Sequence, residues 1–154
     1  MAHPIEENLA ARGLSLPDAP APAANYVPYV ISGKQLFISG QISNGPDGLI
    51  CGKLGADMTT EDGARAAQAC ALALLAQAKA AVGGDFSKVA RLVKLVGFVN
   101  STADFTEQPK VINGASDLMV EVMGETGRHA RSAVSAASLP LGVAVEIEAI
   151  FELV

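Results

Sequence analysis

The sequence holds only two histidines and two cysteines in 154 residues. Cys51 and Cys70 form no C-x-x-C pair and have no histidine near them. His3 and His129 lie far apart without companions, so the clustered ligands of a zinc or other transition-metal site are missing. The two thiols read as buried cysteines, with a disulfide as the alternative. Charge is scarce as well: Asp, Glu, Lys and Arg make up 18% of the chain, and the formal net charge is -5. The basic residues stand singly, apart from Arg128 and Arg131, so the chain lacks the cationic surface that nucleic acid demands of a partner.

Long apolar runs are missing too. The most apolar stretch, Ala64 to Val82, is broken by Arg65, Gln68, Gln77 and Lys79, so no membrane span is expected. Glu6 and Glu7 stand where a signal peptide would need an apolar core, and the expected location is the cytoplasm. The common catalytic signatures are also absent. Gly48 to Lys53 lacks the spacing and the Ser/Thr of a phosphate-binding P-loop, no G-x-G-x-x-G follows a strand, and there is no G-x-S-x-G.

What the chain does have is apolar mass. Hydrophobic residues make up 50% of it, with a mean hydropathy of +0.33. A chain of this length fits one domain and buries enough surface to fold without a staple. Buried subunit interfaces are one reason for so few charges, and an alanine-rich interior is the other.

The pattern predicts strands, helix, strand, helix, strands. Pro4 followed by IEENLAAR and Gly13 reads as a short helix whose Ile5 and Leu9 share a face. Prolines make Leu16 to Asn25 an extended connector. Tyr26 to Ile42 reads as a hairpin around Ser32-Gly33-Lys34. Asn44 to Gly48 is a turn cluster, and Leu49 to Cys51 is a short third strand. Thr59 caps a long helix that carries Ala66, Ala69, Cys70, Ala73 and Leu74 at helical spacing and ends at Gly83-Gly84. Arg91 to Asn100 is a strand. Glu107 to Met123 is a second long helix with Val111, Ala115, Leu118 and Met119 as its packing stripe. Ser132 to Ala136 and Val143 to Leu153 close the chain as strands. The expected fold class is α+β: a mixed β-sheet with two helices packed on one face and the other face left for neighbouring subunits. Residues 1–24 form an N-terminal helix and connector, and residues 25–154 a single domain.

Arg131 follows a helix end and opens an apolar strand. Its bland role is a surface cation, and its functional one a bidentate grip on a carboxylate, which lysine would do poorly. Glu146 and Glu148 lie two apart in VAVEIEAIFEL and so share a strand face. That face is either a solvated acidic one or a general acid/base carboxylate tuned by its neighbour. Tyr26, Ser39 and Asn113 carry no signal on their own.

Taken together, these segments resemble the reactive-intermediate deaminase (Rid, or YjgF-type) family, whose members often carry an endoribonuclease L-PSP label. Arg131-Ser132, Leu139-Pro140 and Val145 to Ile150 resemble its signature segment, and Ile38-Ser39-Gly40-Gln41-Ile42 its S-G-Q strand. The resemblance covers roughly Asn25 to Val154. It implies a chorismate-mutase-like fold assembled as a homotrimer, with sites in the clefts between subunits. It also implies hydrolysis of 2-imino and enamino acids to 2-keto acids and ammonia without metal or cofactor. In that scheme Arg131 pairs with the substrate carboxylate and Glu146 handles the attacking water. Tyr26 walls the pocket from across the interface, and Ser39, Gly40 and Asn113 complete it. Two positions depart from the family pattern. Ala133 stands where many members have cysteine, and His129 where others have proline. These departures leave a non-catalytic carboxylate-binding trimer as the alternative. An endoribonuclease is disfavoured by the acidic balance and the lack of paired histidines.

Overall fold

The computed structural model describes residues 2–22 and 24–154. A five-stranded mixed sheet forms its centre. The strands are β1 (Tyr29–Ser32), β2 (Gln35–Ile42), β5 (Val89–Asn100), β6 (Ala130–Ala136) and β7 (Val145–Leu153), in the order β1-β2-β7-β5-β6. Only β5 and β6 run parallel, joined through helix α3 (Gln108–Met123); every other neighbour is antiparallel. Helix α2 (Thr60–Ala81) links the first strands to β5.

The helices form where local chemistry favours them. Thr59 accepts a hydrogen bond from the Asp62 amide, and Glu61 and Asp62 complement the positive end of α2. Alternation in β7 puts Val145, Ile147, Ala149 and Phe151 against the helices and turns Glu146, Glu148 and Glu152 to the other face. The core joins those residues to Leu92, Leu95 and Val99 of β5, Leu74 and Leu75 of α2, and the expected stripe Val111, Ala115, Leu118 and Met119 of α3. Truncating one of the fully buried leucines to alanine would cost about 2–5 kcal/mol.

The expected N-terminal helix is α1 (Pro4–Ala11), whose shared face of Ile5 and Leu9 is buried in the common core. His3 and Glu6 cap it reciprocally, and Asn8 donates to the Val122 carbonyl of α3. One sequence expectation, the third strand, needs correction. The segment Leu49 to Cys51 is not a third strand of the sheet. Asn44–Gly45 (β3) and Gly48–Leu49 (β4) fold back on each other as a separate two-stranded hairpin, and Cys51 makes only an isolated bridge to Val143. The turn residues Pro46-Asp47 permit so tight a reversal that the pairing closes on itself.

Among the described residues no second layer covers the face of the sheet away from the helices. Val30, Phe37 and Val134 are exposed on it.

Candidate functional site

Arg131 lies on β6, one of the two edge strands, in register with Leu95 of β5 and turned toward the helices. Its Nη1 donates to Asn113 Oδ1 at 2.8 Å and to Ser116 Oγ at 3.1 Å, both on α3. Ser116 Oγ in turn is 2.9 Å from His129 Nε2, and His129 Nδ1 is 2.6 Å from the Gly127 carbonyl. A carbonyl only accepts, so Nδ1 carries a proton. In the neutral ring Nε2 therefore accepts from the Ser116 hydroxyl, whose oxygen faces the guanidinium. Burial holds the His129 pKa below its ordinary range, and the nearby guanidinium adds to that. Arg131 is thus aimed by two neutral acceptors. Among the described residues it has no carboxylate partner.

Glu146 lies near the start of β7, on the other face of the sheet. Two residues of β2, Ser39 and Gly40, bulge between the pairs Ile38–Ala149 and Gln41–Ile147. The bulge brings Gly40 under the Glu146 carboxylate so closely that a Cβ on Gly40 would collide with it. Glycine there leaves the Glu146 carboxylate in place, and a Cβ would push it aside. Partial burial raises the Glu146 pKa, and the like charge of Glu148 raises it further.

Glu146, Gly40 and Tyr26 line one cavity of about 910 Å³, together with the connector and the middle of α2. The sequence-derived residues therefore fall into two groups. Glu146, Gly40 and Tyr26 come together, as do Arg131 and Asn113, but one copy of the chain does not unite the groups. Ser39 spends its hydroxyl on the Val27 carbonyl at 2.8 Å. Ala133 is half-buried against the core beside Arg131.

Sequence reasoning missed Ser116, Gln41 and Gln77. Gln77 is almost fully buried in α2. Its Nε2 donates to the Pro20 carbonyl at 2.7 Å and faces Gln41 Oε1 at 3.4 Å, while Gln41 donates to the Ser39 carbonyl at 2.9 Å. A glutamine in an otherwise apolar stretch was the available signal. Among the described residues no group of three or more His, Cys, Asp or Glu side chains is arranged to hold a metal ion, and no helix is long and apolar enough to cross a membrane.

An α+β fold of this kind belongs to a class already known. Residues 6–153 match the family model described as "YjgF/chorismate mutase-like, putative endoribonuclease", and the chain belongs to this YjgF (Rid) family. It is 53% identical over 151 residues to Protein TCP17 of Trypanosoma cruzi, covering 97% of this chain and 94% of that one. The crystal structure of protein Atu1372 from Agrobacterium tumefaciens, described as of unknown function, is 49% identical with a TM-score of 0.92, covering 98% of this chain and 93% of that one. RidA from an Antarctic Psychrobacter shares the fold at 24% identity and a TM-score of 0.53, over 88% of this chain and 94% of that one.

Proposed function

We propose that the protein hydrolyses reactive 2-imino and enamino acids to 2-keto acids and ammonia, in clefts completed between copies of a homotrimer. The carrying observation is the Arg131 guanidinium, held by Asn113 and Ser116 and, among the described residues, without a carboxylate partner. A substrate carboxylate supplies the missing charge and gains a charge-assisted contact of about 1.5–3 kcal/mol.

Trimer formation is supported by two features of the chain. Arg131 sits at the β6 edge, whereas Tyr26 and Gly40 lie by β1 and β2 toward the opposite edge. A head-to-tail ring of copies would bring one edge of each subunit to the other edge of the next. The uncovered sheet face, with Val30, Phe37 and Val134, would be covered in the same step.

In the reaction Glu146 accepts a proton from water as its oxygen attacks the imine carbon, and returns that proton to the nitrogen. The resulting carbinolamine then passes its hydroxyl proton to the nitrogen, the C–N bond breaks, and ammonia leaves behind the keto acid. A carboxylate with a raised pKa suits both halves of this shuttle, and general acid/base help contributes about 10²–10⁴-fold. An imine is already electrophilic, so no larger effect is needed.

Ala133 favours a second reading, a carboxylate-binding trimer without turnover, because no thiol stands beside Arg131. Coupling the purified protein to a serine/threonine dehydratase separates the two. Faster keto-acid release by the wild type and none by Arg131→Ala supports hydrolysis. Thermal stabilisation by 2-keto acids without faster release supports the binder.

A further inference from the structure

The cavity beside Glu146 is far larger than a short imino acid requires, and its chemistry is one-sided. Its volume of about 910 Å³ lies at the top of the roughly 300–1,000 Å³ range that encloses drug-sized ligands. Leu16, Leu72, Ala73, Pro28, Pro140 and Leu141 give it apolar walls, and its ionisable carboxylates are Asp18 and Glu146. No lysine, arginine or histidine is among the described residues that line it. An anionic head group would be repelled from such a space, while an uncharged apolar group would gain from burial there.

One wall is built by the N-terminal segment, from Ser15 to Pro22. The connector is tied down at its start and in its middle. Ile5 and Leu9 anchor α1 in the core, with Glu6 paired to Lys79 and Arg12 to Glu121. Leu14 and Leu16 pack on the same core. The buried Gln77 holds the Pro20 carbonyl and reaches Gln41, which fixes the Ser39-Gly40 bulge from the other side. Wall and catalytic bulge therefore share one polar clamp. On the rim, Leu141 holds its exposed side chain in the left-handed region at φ 60°, a conformation that costs a branched residue and is retained mainly where function requires it.

We infer that this cavity receives an apolar side chain of the substrate, aromatic or branched, with the carboxylate left outside it, and that the connector is the wall selecting for such a group. The inference rests on the imine-hydrolysis reading for the reacting end of the molecule. The apolar lining selects its occupant whether or not turnover follows.

Calorimetric titration of the full chain with phenylpyruvate and with pyruvate tests the cavity apart from turnover. Phenylpyruvate is expected to bind about tenfold more tightly, or better. Ala69→Phe, which fills the cavity from α2, should remove that advantage and leave pyruvate affinity within about twofold. Gln77→Met, which unclasps Pro20, should reduce the advantage without filling the space, and serves if Ala69→Phe fails to fold. Equal affinities, a failure of phenylpyruvate to bind, or equal losses for both ligands in the variants would overturn the inference. Imines of phenylalanine and alanine, generated by an amino-acid oxidase, supply the second readout. Selective binding with no acceleration of either imine would keep the cavity assignment and remove the hydrolase reading.

Discussion

Ser116 Oγ stands 2.9 Å from His129 Nε2, and the direction of that bond is set from the far side of the ring, where the Gly127 carbonyl claims the Nδ1 proton. Its consequence is felt at Arg131, whose Nη1 needs the Ser116 oxygen as an acceptor. Ser116→Ala therefore loosens the guanidinium without touching the core. The expected result is a loss in kcat/KM of about three- to tenfold, as for one neutral hydrogen bond, with an unchanged circular dichroism spectrum.

The same network sets a pH limit. Burial lowers the His129 pKa from its ordinary 6.5, so between the folded value and 6.5 the unfolded chain binds more protons. The contribution of His129 to stability is then fully present above that ordinary value and lost as pH falls through the folded one. His129→Gln, with no ionisable ring, should flatten this part of the stability curve when melting temperature is followed over mildly acidic pH.

Glu146 has the opposite sign. Burial, aided by Glu148, raises its pKa above the ordinary 4.5, so it favours the folded state only while protonated and disfavours it once ionised. Glu146→Gln should raise the melting temperature near neutral pH while keto-acid release falls by about 10²-fold or more. A variant that loses both stability and activity would mean that Glu146 serves the fold instead.

Gly40→Ala isolates the geometry of the same carboxylate. The added Cβ meets the far end of the Glu146 side chain, which can turn away. Stability should change by less than about 1 kcal/mol in urea. Turnover should fall by about 10²-fold, as expected when a reacting group shifts by an ångström.

A contrasting glycine tests the fold. Gly114 of α3 packs against the Ala64 backbone of α2, which has no side chain to move aside. Gly114→Ala should destabilise the protein by about 1–3 kcal/mol, lowering the melting temperature by several degrees.

Much of this architecture could be read in the sequence, for local reasons. The Thr59 cap, the stripe from Val111 to Met119 and the E-I-E alternation are short-range patterns, and each emerged as the chemistry of its own segment requires. The Glu146–Gly40 contact was not legible, because a two-residue bulge moves Gly40 without leaving any pattern in β2 itself. Gln77 resembles Gln68 as a letter, and only the docking of the connector buries one and leaves the other half-exposed. The closure of Asn44–Leu49 into its own hairpin likewise depends on where the chain must go next, not on strand propensity.

The most direct test mixes two inactive proteins. If Arg131 of one copy serves with Glu146 of its neighbour in a closed ring, Arg131→Ala and Glu146→Gln subunits assembled together in equal amounts regain about a quarter of the wild-type rate on an imine, because one site in four inherits both intact residues. A mixture as inactive as its parents, beside an active wild type, would mean that no site is shared between copies.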